Sequence, residues 1–194
     1  MKKANPQGKG MVPVLQDWHA LQPTITAEKA VGQLLADYCV SSLVLSAAFS
    51  FRPVPGQDYS LYYGEDGWQL SLITPMEWGQ RQPADYVGVC RLRMDMTWQL
   101  SLPESVGDNR AVATALARFF DAFIASLDKE GTLEESLPVY LAQLPYYQRM
   151  LATGLSTSIR DSARVLGIAR EPARQLLSAT DQVPLLQKVT TQTE

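Results

Sequence analysis

The chain has 194 residues, of which 46% are hydrophobic and 19% charged, and its formal net charge is −3. This length suits one domain with a sizeable core, and the charge argues against a general nucleic-acid coat or a polybasic membrane surface. Two cysteines and one histidine exclude a disulfide scaffold, a thiolate metal cluster and any site that needs two imidazoles. No targeting signal or bilayer-spanning stretch is visible, so we expect a soluble, cytoplasmic protein with no membrane contact.

The N-terminal part predicts an arm followed by a helix. Residues 1–23 are rich in proline, glycine and lysine, and their composition predicts a partly disordered arm. Thr26 and Glu28 mark a helix start, because both residue types are favoured in the first turn. Apolar residues at helical spacing follow until the period changes near Ser46.

The middle of the chain, from Phe49 to Leu102, predicts antiparallel strands with one wet face. An Asp-Gly turn at residues 64–67 indicates a first hairpin, and residues 86–102 indicate a second. Trp68 and Trp98 alternate in phase with leucines, so we expect the two indoles to share one apolar face.

The last third predicts helices. An apolar stripe from Val112 to Leu127 indicates a first helix, with Asp108 and Asn109 as available caps. A capping box at residues 132–135 predicts a second helix, which Pro145 kinks or divides. Two short helices are expected after it, at residues 158–167 and 170–179.

These patterns predict an α+β fold. It comprises an N-terminal helix, an antiparallel β-meander of four or five strands, and a C-terminal helical subdomain that ends in a helix-turn-helix-like corner. The expected segments are the partly disordered arm over residues 1–23, the helix and sheet over 24–105, the helical subdomain over 106–187 and a frayed tail over 188–194.

Three short motifs lie in the central block. They are Phe-x-Pro-x-x-Gly-x-x-Tyr at residues 51–59, Leu-Ser-Leu-Ile-x-Pro-x-Glu-Trp-Gly at 70–79 and Thr-Trp at 97–98. Together they resemble a family of domains of unknown function, found in bacteria and in an uncharacterised eukaryotic protein. The resemblance covers Phe51 to Trp98 and implies a shared fold without any activity.

The stretch at residues 163–177, Ala-Arg-Val-Leu-Gly-Ile-Ala-Arg-Glu-Pro-Ala-Arg-Gln-Leu-Leu, is similar to the helix-turn-helix of GntR-type transcription regulators. Gly167 permits the tight turn, and the resemblance implies that Arg170 and Arg174 face a phosphate or a base edge. Glu171 departs from the pattern by placing a negative charge there, and the 17 residues that follow are too few for a β-wing.

The same stretch also fits an αα corner that closes the core. In that interpretation Ala163 is small because two helices cross there, and the arginines have no ligand.

The proline-broken turn at residues 74–79 is a further candidate site. Glu77 beside Trp78 forms a binding notch or is an acid with a raised pKa. The alternative is that Glu77 caps the following turn while Trp78 packs over the end of the sheet. Tyr62 falls on the strand face opposite Tyr59, so at least one exposed tyrosine is expected. The candidate interaction surface therefore comprises Tyr62, Pro75, Glu77 and Trp78.

We expect a non-enzymatic protein-interaction module with an unknown protein partner and with no cofactor or metal. The alternative is a DNA-binding protein that acts through Arg170 and Arg174. An enzyme ranks third, because the sequence has no Walker loop, dinucleotide fingerprint, metal-ligand spacing or nucleophile elbow.

Overall fold

A computed structural model describes residues 11–26, 28–127, 131–138 and 142–178. For five of these residues it describes only the backbone: Met11, Val12, Arg174, Leu177 and Ser178. The expected frayed tail at residues 188–194 and the first ten residues of the expected arm lie outside the described residues.

The fold is α+β, with a four-stranded antiparallel sheet. One hairpin joins β1 (Asp58–Gly64) to β2 (Gly67–Ser71) across the Asp-Gly turn, and a second joins β3 (Asp85–Leu92) to β4 (Trp98–Ser101). The strand order is β2-β1-β3-β4, so the two hairpins lie side by side. Both hairpins lie where the sequence predicts them.

The two faces of the sheet differ in what covers them. The inner face carries Tyr59, Leu61 and the directly opposite residues of neighbouring strands, and it packs against the helices. Trp68 and Trp98 both lie on this face, as their alternation predicts, but Trp98 is fully buried and Trp68 only half-buried. The outer face is crossed by the chain that connects β2 to β3.

Six α-helices occur within the described residues. They are α1 (Met11–Ala20), α2 (Val31–Ser46), α3 (Pro75–Trp78), α4 (Arg110–Leu127), α5 (Tyr146–Val165) and α6 (Ala173–Ser178). Helix α2 is central, because it contacts β2 and β4 on one side and α4, α5 and α6 on others. All but one residue from Leu34 to Leu45 are consequently buried. No helix in the described ranges is long and apolar enough to cross a bilayer.

Helix α4 follows its sequence signals closely. Asn109 caps it, since its side-chain oxygen accepts hydrogen bonds from the backbone N–H groups of Ala111 and Val112. Apolar residues at steps of three and four, from Val112 to Leu127, form its buried stripe. The predicted helix and the use of Asn109 as its cap are confirmed.

Helix α2 begins at Val31, five residues after the predicted start at Thr26. The residues before it run along the β3–β4 turn instead, since the backbone N–H of Thr24 donates to the carbonyl of Met94. The side chain of Lys29 is buried there against acidic residues. Tertiary contacts therefore prevent the helical start that local propensity favours.

The region around Pro145 also differs from the prediction. Pro145 precedes helix α5 and neither kinks nor divides a helix, because its fixed φ suits a helix start. The predicted short helix at residues 158–167 is the end of this 20-residue helix. The box of Thr132 and Glu135 opens only a 3-10 turn, Glu134–Ser136, and residues 139–141 lie outside the described ones.

Residues 11–20, which the composition places in the arm, form α1. Asp17 fastens this helix to the body, because its carboxylate accepts hydrogen bonds from Arg52 at 2.9 Å and from the hydroxyl of Tyr146 at 3.2 Å. Leu21, just after the helix, is fully buried beside Gly154 and Met96.

Candidate functional site

An open groove of about 460 Å³ lies on the outer face of the sheet, near its β2 edge. The sheet supplies its floor, and the chain between β2 and β3 supplies one wall. We call this cavity the outer groove, and its lining includes Phe49, Tyr62, Gln69, Leu70, Trp78 and Pro83. It brings together Tyr62 and Trp78, two of the four residues of the predicted interaction surface.

Tyr62 lies on the outer face, as the alternation predicts, but it is only 1% exposed. Its hydroxyl donates a 2.9 Å hydrogen bond to the carbonyl of Ile73, and its ring packs against Tyr86. The expectation that this tyrosine is an exposed contact is therefore wrong, because the chain that leaves β2 covers it. Tyr62 contributes to the floor of the outer groove and anchors its wall.

The short helix α3 forms that wall, and its start is capped in both directions. Pro75 occupies the first turn, and the hydroxyl of Thr74 accepts a hydrogen bond from the N–H of Glu77. In return the Glu77 carboxylate accepts 2.7 Å bonds from both the N–H and the hydroxyl of Thr74. These bonds hold the pKa of Glu77 below its ordinary value. Glu77 is thus a cap, and the hypothesis of a raised-pKa acid is wrong.

Trp78 ends α3 and is half-buried at the outer groove. Its indole nitrogen is shielded from solvent and has no hydrogen-bond partner among the described residues. A buried polar group without a partner costs free energy, and such groups are few in native proteins. The hydrogen bonds between the described residues do not account for this donor.

Three large apolar side chains lie on the segment between Ser71 and Trp78, both of which line the outer groove. Leu72 is 54% exposed, Ile73 is 39% exposed and Met76 is 91% exposed. These three side chains lie within five residues of one another along the chain, and exposed apolar side chains that form a patch are typical of an interaction surface rather than of a core.

The C-terminal corner has the predicted turn. Gly167 adopts a φ of +74°, and the N–H of Ile168 donates to the carbonyl of Ala163 at 2.9 Å. This is the Schellman arrangement that ends a helix with a left-handed residue. Ala163 is buried where α5 meets the core, as expected for either a helix-turn-helix or an αα corner.

The corner is paired with another segment of the chain at the start of α6. The N–H of Ala173 donates to the carbonyl of Gly131, and the N–H of Leu133 donates to the carbonyl of Glu171. Arg170 is exposed, whereas the side chain of Arg174 lies outside the described residues. The helix start that would face a DNA phosphate is therefore partly occupied by residues 131–133.

A buried charge cluster, which the sequence analysis did not identify, lies between α2 and the β3–β4 turn. Lys29 Nζ contacts Asp37 Oδ2 at 2.7 Å and Asp95 Oδ2 at 2.5 Å, and Arg93 reaches Asp37 at 2.8 Å. Thr97 donates its hydroxyl and backbone N–H to Asp95. The two positive and two negative charges balance. Because Asp37 lies on α2 and Arg93 and Asp95 lie in the β3–β4 turn, the cluster joins α2 to that turn. A usable signal was Asp37, a charged residue within a helix that is otherwise rich in apolar residues.

The cluster explains the closing motif of the central block. Met96, between Asp95 and Thr97, is buried with a φ of +62°, a left-handed conformation that costs free energy in a residue other than glycine. Next to it, the N–H of Trp98 donates to the hydroxyl of the buried Ser41 on α2. The Thr-Trp pair therefore docks the second hairpin on α2.

The opening motif at residues 51–59 also has a structural role. The ring of Phe51 stacks on Tyr59 at 5.3 Å, and the Tyr59 hydroxyl accepts a 2.7 Å hydrogen bond from the N–H of Val54. Gly56 takes a φ of +84° and its N–H donates to the carbonyl of Leu92. These contacts close the loop that leads into β1.

No feature of the described residues indicates a metal or redox site. Among them, no group of three or more histidine, cysteine or acidic side chains is placed to hold a metal ion. Cys39 and Cys90 are buried, as predicted for small core residues, and burial raises the pKa of Cys39 to about 12 and also raises the pKa of Cys90. Neither is a reactive thiolate.

The comparison with known protein families agrees with the central motifs. Residues 26–120 match the family described as "Protein of unknown function (DUF2452)". The match begins just before Lys29, contains the whole sheet and extends into α4. No solved structure matches the chain. Over residues 26–120, which hold both the outer groove and the buried charge cluster, the chain belongs to the DUF2452 family.

Proposed function

We propose that the protein is a non-enzymatic interaction module that binds an apolar segment of a protein partner in the outer groove. The observation that carries this proposal is the indole N–H of Trp78, which is shielded from solvent yet lacks a partner among the described residues. The ring of Trp78 must turn for a partner's carbonyl oxygen to reach this donor, and the hydrogen bond that then forms removes the cost of leaving it unpaired. Tryptophan is also among the residues most often found to dominate binding free energy at interfaces.

The surroundings of Trp78 support the same function. Leu72, Ile73 and Met76 present exposed apolar area on the segment between Ser71 and Trp78, and a partner's apolar side chain gains free energy when it covers them. The two-way cap between Thr74 and Glu77 stabilises the start of α3 without a partner. A helix start that is already formed lowers the entropic cost of binding.

The experiment compares Trp78→Phe with the wild type. Phenylalanine keeps a ring in the outer groove but removes the N–H, so binders selected from a random-peptide phage library should lose roughly three- to tenfold in affinity, the usual value of one neutral hydrogen bond. The indole resonance of Trp78 should shift when a selected peptide is added. Trp18→Phe, on the exposed face of α1, is the matched control and should leave affinity unchanged.

A stability measurement separates binding from a structural role. Because the indole N–H makes no hydrogen bond to the described residues, Trp78→Phe should unfold at nearly the same urea concentration as the wild type. The proposal is wrong if no peptide is enriched, or if enriched peptides bind without shifting the Trp78 resonance.

DNA contact through the C-terminal corner is the second candidate function. The left-handed Gly167 turn between α5 and α6 favours it, together with the exposed Arg170. It ranks second because residues 131–133 pair with the start of α6, and because Glu134 already forms ion pairs with Arg160 and Arg164.

A further inference from the structure

An acidic groove adjoins the outer groove along Gln69 and Pro83, which line both cavities. Its volume is about 450 Å³. Three acidic residues line it, Glu65 and Asp66 at the tip of the first hairpin and Asp85 at the start of β3.

These carboxylates form no ion pair in the part of the chain that the structure describes, and no lysine or arginine lines the acidic groove. All three side chains are exposed, and none of them takes part in an ion pair between described residues. Like charges held on one small surface repel one another, and a cation placed among them relieves that repulsion. The acidic groove is therefore complementary to a positively charged group.

We propose that the partner segment is a peptide with an apolar side chain and, within a few residues on either side of it, a lysine or arginine. This inference rests on the proposed function. The apolar side chain occupies the outer groove beside Trp78. The basic side chain reaches the carboxylates of the acidic groove. A backbone carbonyl of the peptide accepts the hydrogen bond from the indole N–H of Trp78.

The shape and charge of this surface select a peptide over other ligands. Both cavities are open to solvent and joined side by side, which suits an extended segment more than an enclosed small molecule. Nucleic acid is disfavoured here because its phosphates would meet Glu65, Asp66 and Asp85. Since the carboxylates are exposed, each ion pair adds little affinity and acts mainly on which peptide is chosen.

The test removes the acidic charge while keeping the fold. The variant Asp66→Asn/Asp85→Asn is nearly isosteric, and an Asn-Gly turn is as favourable in a hairpin as the native Asp-Gly turn. The matched control, Glu104→Gln/Asp121→Asn, removes two exposed carboxylates outside both grooves. The same random-peptide phage library is selected separately on the wild type, the variant and the control.

Peptides selected on the wild type and on the control should carry a basic residue near their apolar anchor, whereas those selected on Asp66→Asn/Asp85→Asn should not. A peptide selected on the wild type should bind the variant roughly three- to tenfold more weakly at low salt. That difference should shrink at high salt, because screening weakens exposed ion pairs.

The outcomes separate this inference from the function on which it rests. Apolar peptides that shift the Trp78 indole resonance but show no basic preference would overturn the inference and leave the proposed function standing. Basic peptides that bind without moving that resonance would overturn both, since binding would then be general attraction to negative charge. Absence of any enriched peptide would also overturn both.

Discussion

Lys29 Nζ lies 2.5 Å from Asp95 Oδ2, and less than a tenth of each side chain is exposed. The same ammonium contacts Asp37, which also receives Arg93 and the side-chain amide of Gln33. A charge taken out of water is costly unless opposite charges and hydrogen bonds surround it, and here they do. The cluster thus ties the chain before α2 to the turn that carries Met96.

Replacing Asp95 by asparagine should destabilise the protein by roughly 3–5 kcal/mol, because the buried ammonium of Lys29 loses one of its two anionic partners. Urea unfolding followed by far-UV circular dichroism measures this change. The control is Asp58→Asn, which breaks the exposed pair with Arg91 and should hardly move the midpoint. Equal midpoints for the two variants would show that the cluster contributes no more than a surface ion pair.

The pKa of Asp95 predicts that the folded protein loses stability in acid. Burial raises the pKa of Asp95, but the hydrogen bonds from Lys29 and Thr97 outweigh burial and hold the pKa below its ordinary value. A lowered folded-state pKa contributes stability above the unfolded value of about 3.9, and that stability is lost as the pH falls through the folded pKa.

The free energy of unfolding should therefore differ between wild type and Asp95→Asn above about pH 4, and the difference should narrow in stronger acid. Urea titrations at a series of pH values measure it. A difference that stays constant down to the acid limit would show that the charge of Asp95 is not what stabilises the fold.

The two indoles of the inner face should differ in their contribution to stability. Trp98→Ala should cost about 3–5 kcal/mol, because the side chain is 1% exposed and packs edge-on against Tyr59. Trp68→Ala should cost less, about 1–2 kcal/mol, since Trp68 is half-buried at the edge strand and its contact is the ring of Tyr63. Thermal unfolding of both variants measures the order, and the reverse order would contradict the assigned burial.

Local patterns account for most of the fold that the sequence predicts correctly. The hairpin at Gly64–Gly67, the cap at Asn109 and the left-handed Gly167 depend on residues close in sequence, and all three occur as predicted. The start of α2 and the burial of Tyr62 were missed, because contacts with Met94 and Ile73 decide them.

The candidate site was predicted only in part for the same reason. Pro75, Glu77 and Trp78 are adjacent in sequence, so the turn was visible, but the unpaired indole depends on what surrounds it in space. The buried charge cluster joins Lys29 and Asp37 to residues 93–97 across more than fifty positions. No periodicity in the sequence relates residues so far apart.

DNA contact by the C-terminal corner and a purely structural role of that corner differ in measurable ways. Log affinity for DNA falls as log salt rises, and the slope is steeper when more phosphates are neutralised. If Arg170 and Arg174 neutralise two phosphates, the slope for the variant Arg170→Ala/Arg174→Ala should be shallower by about two units. Arg110→Ala/Arg118→Ala removes two exposed arginines of α4 and controls for general attraction to the duplex.

We expect no salt-sensitive duplex binding by the wild type, because the start of α6 is paired with residues 131–133 and Glu171 lies beside Arg170. Ala163→Leu should instead be the damaging change and cost about 1–3 kcal/mol, since Ala163 is 2% exposed and a larger side chain forces the packed elements apart. Gel-shift titrations over a range of salt and urea unfolding measure the two effects. Duplex binding that is lost in Arg170→Ala/Arg174→Ala but kept in the α4 control would contradict the structural role and make the corner a DNA contact.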